Sequence, residues 1–260
     1  MQSAAPILDL SIAMPNKQQP ACFALSVRGH SVRCTEVIAR RDHVLIGISP
    51  FNSRFSPDYV ASLLAWASTS FQRVDVLLPD EESAALLLIA AGTPLTKALR
   101  KTRKELNRHR RSLRKILDGM GEALSRTRII EFADYFCNER YRQMKALAQD
   151  AFENCAEFRT ACLEMSNHVL NRRNQAPDSL PTAPDPAEAA LVAAPYILAE
   201  IPFYLCSADL LDTASSVLAY HRPWPIGEAL LSGAFPLSVD GRQGHGIVSI
   251  DAPIASDLFR

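Results

Sequence analysis

Residues 43–53 read His43-Val44-Leu45-Ile46-Gly47-Ile48-Ser49-Pro50-Phe51-Asn52-Ser53. The first seven form a short run rich in Val, Ile and Leu that stops at a proline, the pattern of a strand buried on both faces. Working outward, residues 22–27 (CFALSV) predict a strand before it, and residues 73–78 (RVDVLL) a strand after it, closed by Pro79-Asp80. Between them residues 57–71 predict a helix, with Tyr59, Leu63, Trp66 and Ser70 three and four residues apart. Short apolar strands separated by helices predict an α/β fold, a Rossmann-like parallel sheet flanked by helices.

Residues 1–20 lack sustained periodicity and predict a loose lead-in, leaving 21–260 as one Rossmann-like domain. Pro94 suits the first turn of a long helix, with Thr93 as its N-cap and Gly119 and Gly121 at its end. Leu95, Leu99, Thr102, Leu106, Leu113 and Leu117 give that helix an apolar face. Helical patterns follow at 128–137, 139–170 and 188–205, the last preceded by a Pro-rich connector at 174–187. Residues 215–221 (SSVLAYH) predict a final strand, and the tail from Pro223 reads as mostly loop.

At 260 residues the chain is long enough to bury a core without disulfides or metal. Its 48% hydrophobic and 22% charged residues are ordinary for a globular protein. Six cysteines show no CxxC and no zinc-ligand spacing. No basic segment followed by an apolar one opens the sequence, so no signal peptide is expected. The apolar stretch 189–206 is interrupted by Pro195, Glu200 and Pro202, which argues against a membrane span. A reducing cytoplasm is the expected compartment.

The overall charge is zero, with 28 basic and 28 acidic residues, but it is unevenly spread. Lys97, Arg100, Lys101, Arg103, Lys104, Arg108, Arg110, Arg111, Arg114 and Lys115 are joined by one acid, Glu105, so this segment carries +9 and the remainder −9. Like charges one turn apart repel. A helix that tolerates them without internal compensation carries the footprint of a polyanion binder. A calmodulin-target or membrane-surface helix shares the pattern. Zinc-finger ligands, RNP aromatics and a GXXG loop are all missing nearby, so phosphate contacts would give affinity and orientation but no base reading.

In a parallel sheet, ligands bind beyond the carboxyl ends of the strands. Leu45, Gly47 and Ser49 alternate onto one face of their strand, giving an apolar floor with a hydroxyl at its mouth. Gly47 would let a ligand approach the backbone. Alone, Ser49 is more simply read as a cap on the turn, and Phe51 breaks the G-x-S-x-G of α/β-hydrolases. Tyr196 and Glu200 lie one helical turn apart in an apolar stretch, where an acid needs a partner. A structural Glu–Arg or Glu–Tyr pair and a carboxylate awaiting an α-ammonium group fit equally. Tyr220, near a strand end, is unremarkable by itself.

Together these segments resemble the cyclodipeptide synthase family. Its G-x-S-x-x-N loop corresponds to Gly47, Ser49 and Asn52, its Y-x-x-x-E pair to Tyr196 and Glu200, and its following Tyr to Tyr220. Asn52, Tyr220 and His221 resemble the subgroup that pairs Asn with Tyr-His. The resemblance implies a fold similar to the catalytic domain of class I tyrosyl- and tryptophanyl-tRNA synthetases. It also implies two aminoacyl-tRNAs as partners, joined into a 2,5-diketopiperazine without ATP or metal cofactor. HIGH and KMSKS sequences, which handle ATP in synthetases, are missing. Ser49 is expected to form an aminoacyl-enzyme. The amine of the second aminoacyl-tRNA is then expected to attack that ester to give a dipeptidyl-enzyme, which cyclises. Tyr196 and Glu200 would hold the α-ammonium group, Tyr220 would position the intermediate and relay a proton, and Asn52 and His221 would fix loop and strand. Leu45, Gly47, Phe203, Tyr204 and Leu218 would form the aminoacyl pocket, suited to a medium or large hydrophobic side chain. The ten basic residues would face tRNA. A monomer is expected, and a non-catalytic tRNA-binding module with a synthetase-like fold is the alternative.

Overall fold

The computed structural model describes residues 25–171 and 185–250. The lead-in at 1–20, the first three residues of the predicted strand at 22–27 and most of the Pro-rich connector lie outside them. Six strands, β1 (Leu25–Gly29), β2 (His43–Gly47), β3 (Arg73–Leu78), β4 (Arg128–Glu131), β5 (Ser216–Tyr220) and β6 (Gln243–Ile250), form one sheet in the order β1-β6-β5-β2-β3-β4. Every pairing is parallel except β1 with β6. The sheet is therefore mixed, correcting the all-parallel expectation. Its one antiparallel strand lies at an edge, where such strands commonly join parallel sheets.

Alternation along the central strands separates two cores. Val44, Ile46, Val74, Val76, Val217 and Ala219 pack on one face against α1 (Val32–Arg40), α2 (Pro57–Ser70) and α4 (Leu95–Met120). Leu45, Leu77 and Leu218 pack on the other, beneath α3 (Glu81–Ala90), α5 (Glu139–Asn154), α6 (Ala156–Asn171) and α7 (Pro186–Leu210). Two buried faces are why β2 reads as an unbroken apolar run. α2 starts where Ser56 accepts a hydrogen bond from the Tyr59 amide and Pro57 occupies the first turn. α7 has the length and hydropathy of a membrane span, yet 83% of its most apolar window is buried inside the fold.

Several predicted elements are revised. Residues 128–137 hold β4 and a 3-10 turn rather than a helix, because Arg128–Glu131 extend the β3 ladder. The helix expected over 139–170 breaks at Cys155 into α5 and α6. α4 begins one residue after Pro94, which is itself the N-cap position in place of Thr93. The expected loop tail contains α8 (Gly227–Ser232) and β6, an interior strand. Gly244 and Gly246 made that strand look like a turn. They are there because a Cβ would come within 2.9 Å of Val37 and 2.8 Å of Val27.

A polar network crosses the amino-terminal end of the sheet. The Asp75 side chain, fully buried on β3, accepts hydrogen bonds from the Arg128 amide (2.9 Å) and guanidinium (2.7 Å) on β4 and from Arg73 (3.1 Å). His43 Nε2 on β2 lies 3.3 Å from it. The other His43 nitrogen is 2.8 Å from Ser216 Oγ on β5, which accepts from Ser207 on α7. The Ser207 amide donates to Gln243 Oε1 on β6 (2.8 Å). Burial would raise the Asp75 carboxyl, but His43 and Arg128 override it and hold it well below the carboxylate range. Burial lowers His43, despite Asp75, so its imidazole is neutral near pH 7.

Asp75→Ala strands several of these groups at once, and breaking such a buried pair costs roughly 3–5 kcal/mol. Thermal denaturation should show a Tm about 10 °C lower. The wild type should also lose stability as pH falls from the ordinary histidine range, because the unfolded His43 binds a proton that the folded form resists. An unchanged Tm in Asp75→Ala would remove the network from its structural role.

Candidate active site

The site forms where the chain order reverses, between β2 and β5, at their carboxyl ends. Beyond Gly47 the Ile48 amide still donates to Leu77 (3.0 Å), so the following turn starts from a fixed point. Phe51 takes a left-handed φ of 64°, a conformation that non-glycine residues hold only when their surroundings enforce it. Here Asn52 does so from both ends, its Oδ1 accepting from the Arg54 amide (3.1 Å) and its carbonyl from the Phe55 amide (3.1 Å). That winding leaves Ser49 half-buried at the rim of a cavity of about 370 Å³.

Tyr220 ends β5 on the same sheet face as Gly47. A Cβ on Gly47 would lie 2.5 Å from the Tyr220 ring, so glycine is what allows the ring to rest on β2. Above it, α7 presents Tyr196 and Glu200 one turn apart, and Tyr220 Oη donates to Glu200 Oε1. Burial raises the Glu200 carboxyl to about 7, against the opposing effect of the Tyr220 hydrogen bond. Burial, then the charge of Glu200, pushes the Tyr220 phenol well above its usual range. The phenol is thus a proton donor and the carboxyl is poised near neutrality.

The cavity wall contains Ser49, Asn52, Tyr196, Glu200, Tyr220 and His221. Its apolar part comes from Leu77, Leu87, Phe132, Met165, Val169 and Ile197. Leu45, Gly47, Phe203, Tyr204 and Leu218 are not on this wall. Leu45 and Leu218 pair in the sheet, and Gly47 lies under Tyr220. Phe203 packs on Phe132, with centroids 5.7 Å apart. Tyr204 belongs to a stack of four rings, His245–Tyr204–Trp224–Tyr220, with centroid separations of 3.7, 4.5 and 5.7 Å and interplanar angles of 15° or less. Sequence reading missed Met165 and Val169, whose i, i+4 spacing on α6 marks a shared face, and Trp224, four residues beyond Tyr220.

α4 buries Ala98, Thr102, Leu106, His109 and Leu113 and leaves Leu95 exposed. Nine of its ten basic residues are exposed, and Arg110 is half-buried. The charge is partly compensated, contrary to expectation. Arg103 pairs with Glu81, Arg108 with Glu105 and Arg110 with Glu131. Lys97, Arg100, Lys101, Lys104, Arg111, Arg114 and Lys115 have no carboxylate partner among the described residues. Lys104, Asn107, Arg110, Arg111 and Arg114 surround an open depression of about 320 Å³. Among the described residues, no three His, Cys, Asp or Glu side chains are grouped as metal ligands.

The family model for cyclodipeptide synthase matches residues 25–250. The chain belongs to the cyclodipeptide synthase family. It is 41% identical to a cyclo(L-leucyl-L-leucyl) synthase of Photorhabdus laumondii, over 87% of this chain and 96% of the relative. The crystal structure of a cyclodipeptide synthase from Bacillus thermoamylovorans superposes with a TM-score of 0.81 at 36% identity, covering 88% of this chain and 97% of that one. A Mycobacterium tuberculosis structure, which related cyclodipeptide synthetases to type I tRNA synthetases, superposes at 0.76 with 27% identity over 89% and 95%. This synthase is accordingly an enzyme, a tRNA-dependent aminoacyltransferase with a synthetase-like α/β fold.

Glu200 binds its proton more tightly folded than unfolded, so its stability contribution is full below about pH 4.5 and is lost as pH rises through 7. Glu200→Gln keeps the shape and removes the buried charge. At about 1.4 kcal/mol per pH unit, the variant should be about 3 kcal/mol more stable than wild type at pH 8. The two should converge near pH 5 in paired thermal melts. Parallel curves at both pH values would place the Glu200 carboxyl at its ordinary value.

Proposed function

We propose that this synthase joins two aminoacyl groups from aminoacyl-tRNAs into a 2,5-diketopiperazine by a ping-pong route through Ser49. The observation that carries the proposal is a single cavity wall bearing Ser49, Tyr196, Glu200 and Tyr220. Ser49 Oγ attacks the ester carbonyl of the first aminoacyl-tRNA, and its proton leaves with the ribose oxygen of the departing tRNA. Ester is exchanged for ester, so neither ATP nor a metal is needed. Tyr196 and Glu200 hold the α-ammonium group. With its carboxyl near 7, Glu200 can also take a proton from that group, freeing an amine for attack.

Atom balance corrects the direction of the second step. If the amine of the second aminoacyl-tRNA attacked the Ser49 ester, the dipeptide would end on tRNA and the serine would be free. A dipeptidyl-Ser49 requires the enzyme-bound amine to attack the second tRNA ester, its proton passing to the second ribose oxygen. The new terminal amine then attacks the Ser49 ester, closing the six-membered ring. Its proton returns to Ser49 Oγ through the Tyr220–Glu200 pair. Asn52 and His221 keep the loop and strand in place. The exposed face of α4 holds the tRNA by its phosphates. Since tRNA is its substrate, the enzyme acts in the cytoplasm, as a monomer.

Leucine is the proposed residue at both positions. The cavity interior is built from Leu, Met, Val, Ile and Phe side chains, and the relative 41% identical to this chain is a cyclo(L-leucyl-L-leucyl) synthase. Expression in a bacterial host, with mass spectrometry of the medium, should yield cyclo(Leu-Leu) from wild type and none from Ser49→Ala. A different cyclic dipeptide would overturn leucine alone. Equal product from both proteins would overturn Ser49 as nucleophile.

A further inference from the structure

The mouth of the cavity carries donors that the chemistry above leaves unused. Arg54 follows the Ser49 loop, and its guanidinium lies 5.0 Å over the Tyr59 ring. Its Nε is buried and has no hydrogen-bond partner. Beside it, His221 presents a buried Nδ1, also without a partner, and stands edge-on to Phe55 at 5.6 Å. Burial, then the Arg54 charge, lowers the His221 imidazole to about 4, so it is neutral near pH 7. Arg222 is exposed on the same rim. Among the described residues neither arginine pairs with a carboxylate. Among the described residues the only acid on the cavity wall is Glu200, which is buried and bound to Tyr220.

Buried polar atoms without partners are rare, because each costs the hydration it has lost. Two on one cavity wall, one of them on a guanidinium with no carboxylate partner among the described residues, mark a place for an oxygen-rich anion. Arginine, with its planar fork, suits a phosphodiester, and a neutral imidazole nitrogen suits a ribose hydroxyl. The reactive ester must reach Ser49 on the terminal ribose of a tRNA, whose own phosphate lies just one sugar away. None of the ten basic residues of α4 lines the cavity, so α4 can hold the body of the tRNA while leaving this end unfixed.

We propose that Arg54, Arg222 and His221 Nδ1 form a binding site for the phosphodiester and ribose of the 3′-terminal nucleotides of the aminoacyl-tRNA, separate from the α4 face. The inference rests on the synthase mechanism above. Its role is to present the ester to Ser49 rather than to take part in bond making.

The test compares two substrates, leucyl-tRNA and the phosphate-free ester 2′(3′)-O-leucyl-adenosine, with wild type, Arg54→Gln, Arg54→Lys and Arg222→Ala. Losing a hydrogen bond to a charged group should lower kcat/KM about tenfold more on leucyl-tRNA than on the adenosine ester. The slope of log kcat/KM against log salt should become shallower by roughly 0.7–0.9 for each phosphate contact removed. Arg54→Lys should recover part of the loss through its charge, and Arg222, being exposed, can be replaced without threatening the fold. Equal losses on both substrates, or an unchanged salt slope, would overturn the proposal. Binding of uncharged tRNA separates this outcome from failure of the synthase mechanism. The variants should bind full-length tRNA more weakly than wild type but match it on tRNA trimmed of its 3′-terminal nucleotides, whether or not any product forms. Equal weakening on both tRNAs would overturn the site.

Discussion

A carboxylate with no access to water organises the sheet. Asp75, on β3 with Arg73, is tied directly to the two neighbouring strands through His43 on β2 and Arg128 on β4. Through His43, Ser216, Ser207 and Gln243 it is linked to two more strands and to α7. Each link is directional, so the strands are fixed in register as well as in order. Apolar faces alone would tolerate a slip of two residues. A buried ionic group would not, because any slip separates it from its partners.

That constraint acts at the amino ends of the strands, while the candidate site sits at the carboxyl ends. The separation lets one end be rigid and dry and the other be open. At the open end, position is set by shape: Gly47 receives the Tyr220 ring, and the ring delivers its hydroxyl to Glu200. The same burial that makes Glu200 costly to ionise gives it a proton affinity near neutrality. Burial that costs stability thus also sets the proton affinity of the one acid on the described cavity wall.

Most of this arrangement was legible in the sequence wherever one principle dominated. β2 and β3 are apolar runs bounded by prolines or turns, and the structure places them within two residues of expectation. The six residues drawn from the Ser49 loop, the Tyr196–Glu200 pair and Tyr220-His221 do share one cavity. Long-range packing was not legible. β6 carries two glycines for the sake of Val37 and Val27, which are distant in sequence, so local reading took it for loop. β4 is short and became a strand because Asp75 and the β3 ladder capture it. The pocket wall failed for a related reason. Leu45, Phe203, Tyr204 and Leu218 have the right character and neighbourhood, but depth below the surface depends on three dimensions. α6, which supplies Met165 and Val169, offered no chemical signal at all.

The chain contains two tryptophans, Trp66 on α2 and Trp224. Trp224 both lines the cavity and sits sandwiched between Tyr204 and Tyr220 in the ring stack. The fold therefore contains an optical reporter of its own reaction. With Trp66 replaced by Phe, emission and near-ultraviolet dichroism come from a single indole whose neighbours are the Tyr220 phenol on one side and the pocket contents on another. Filling and emptying of the cavity would each change its surroundings, so the turnover of an unlabelled enzyme could be followed by light alone.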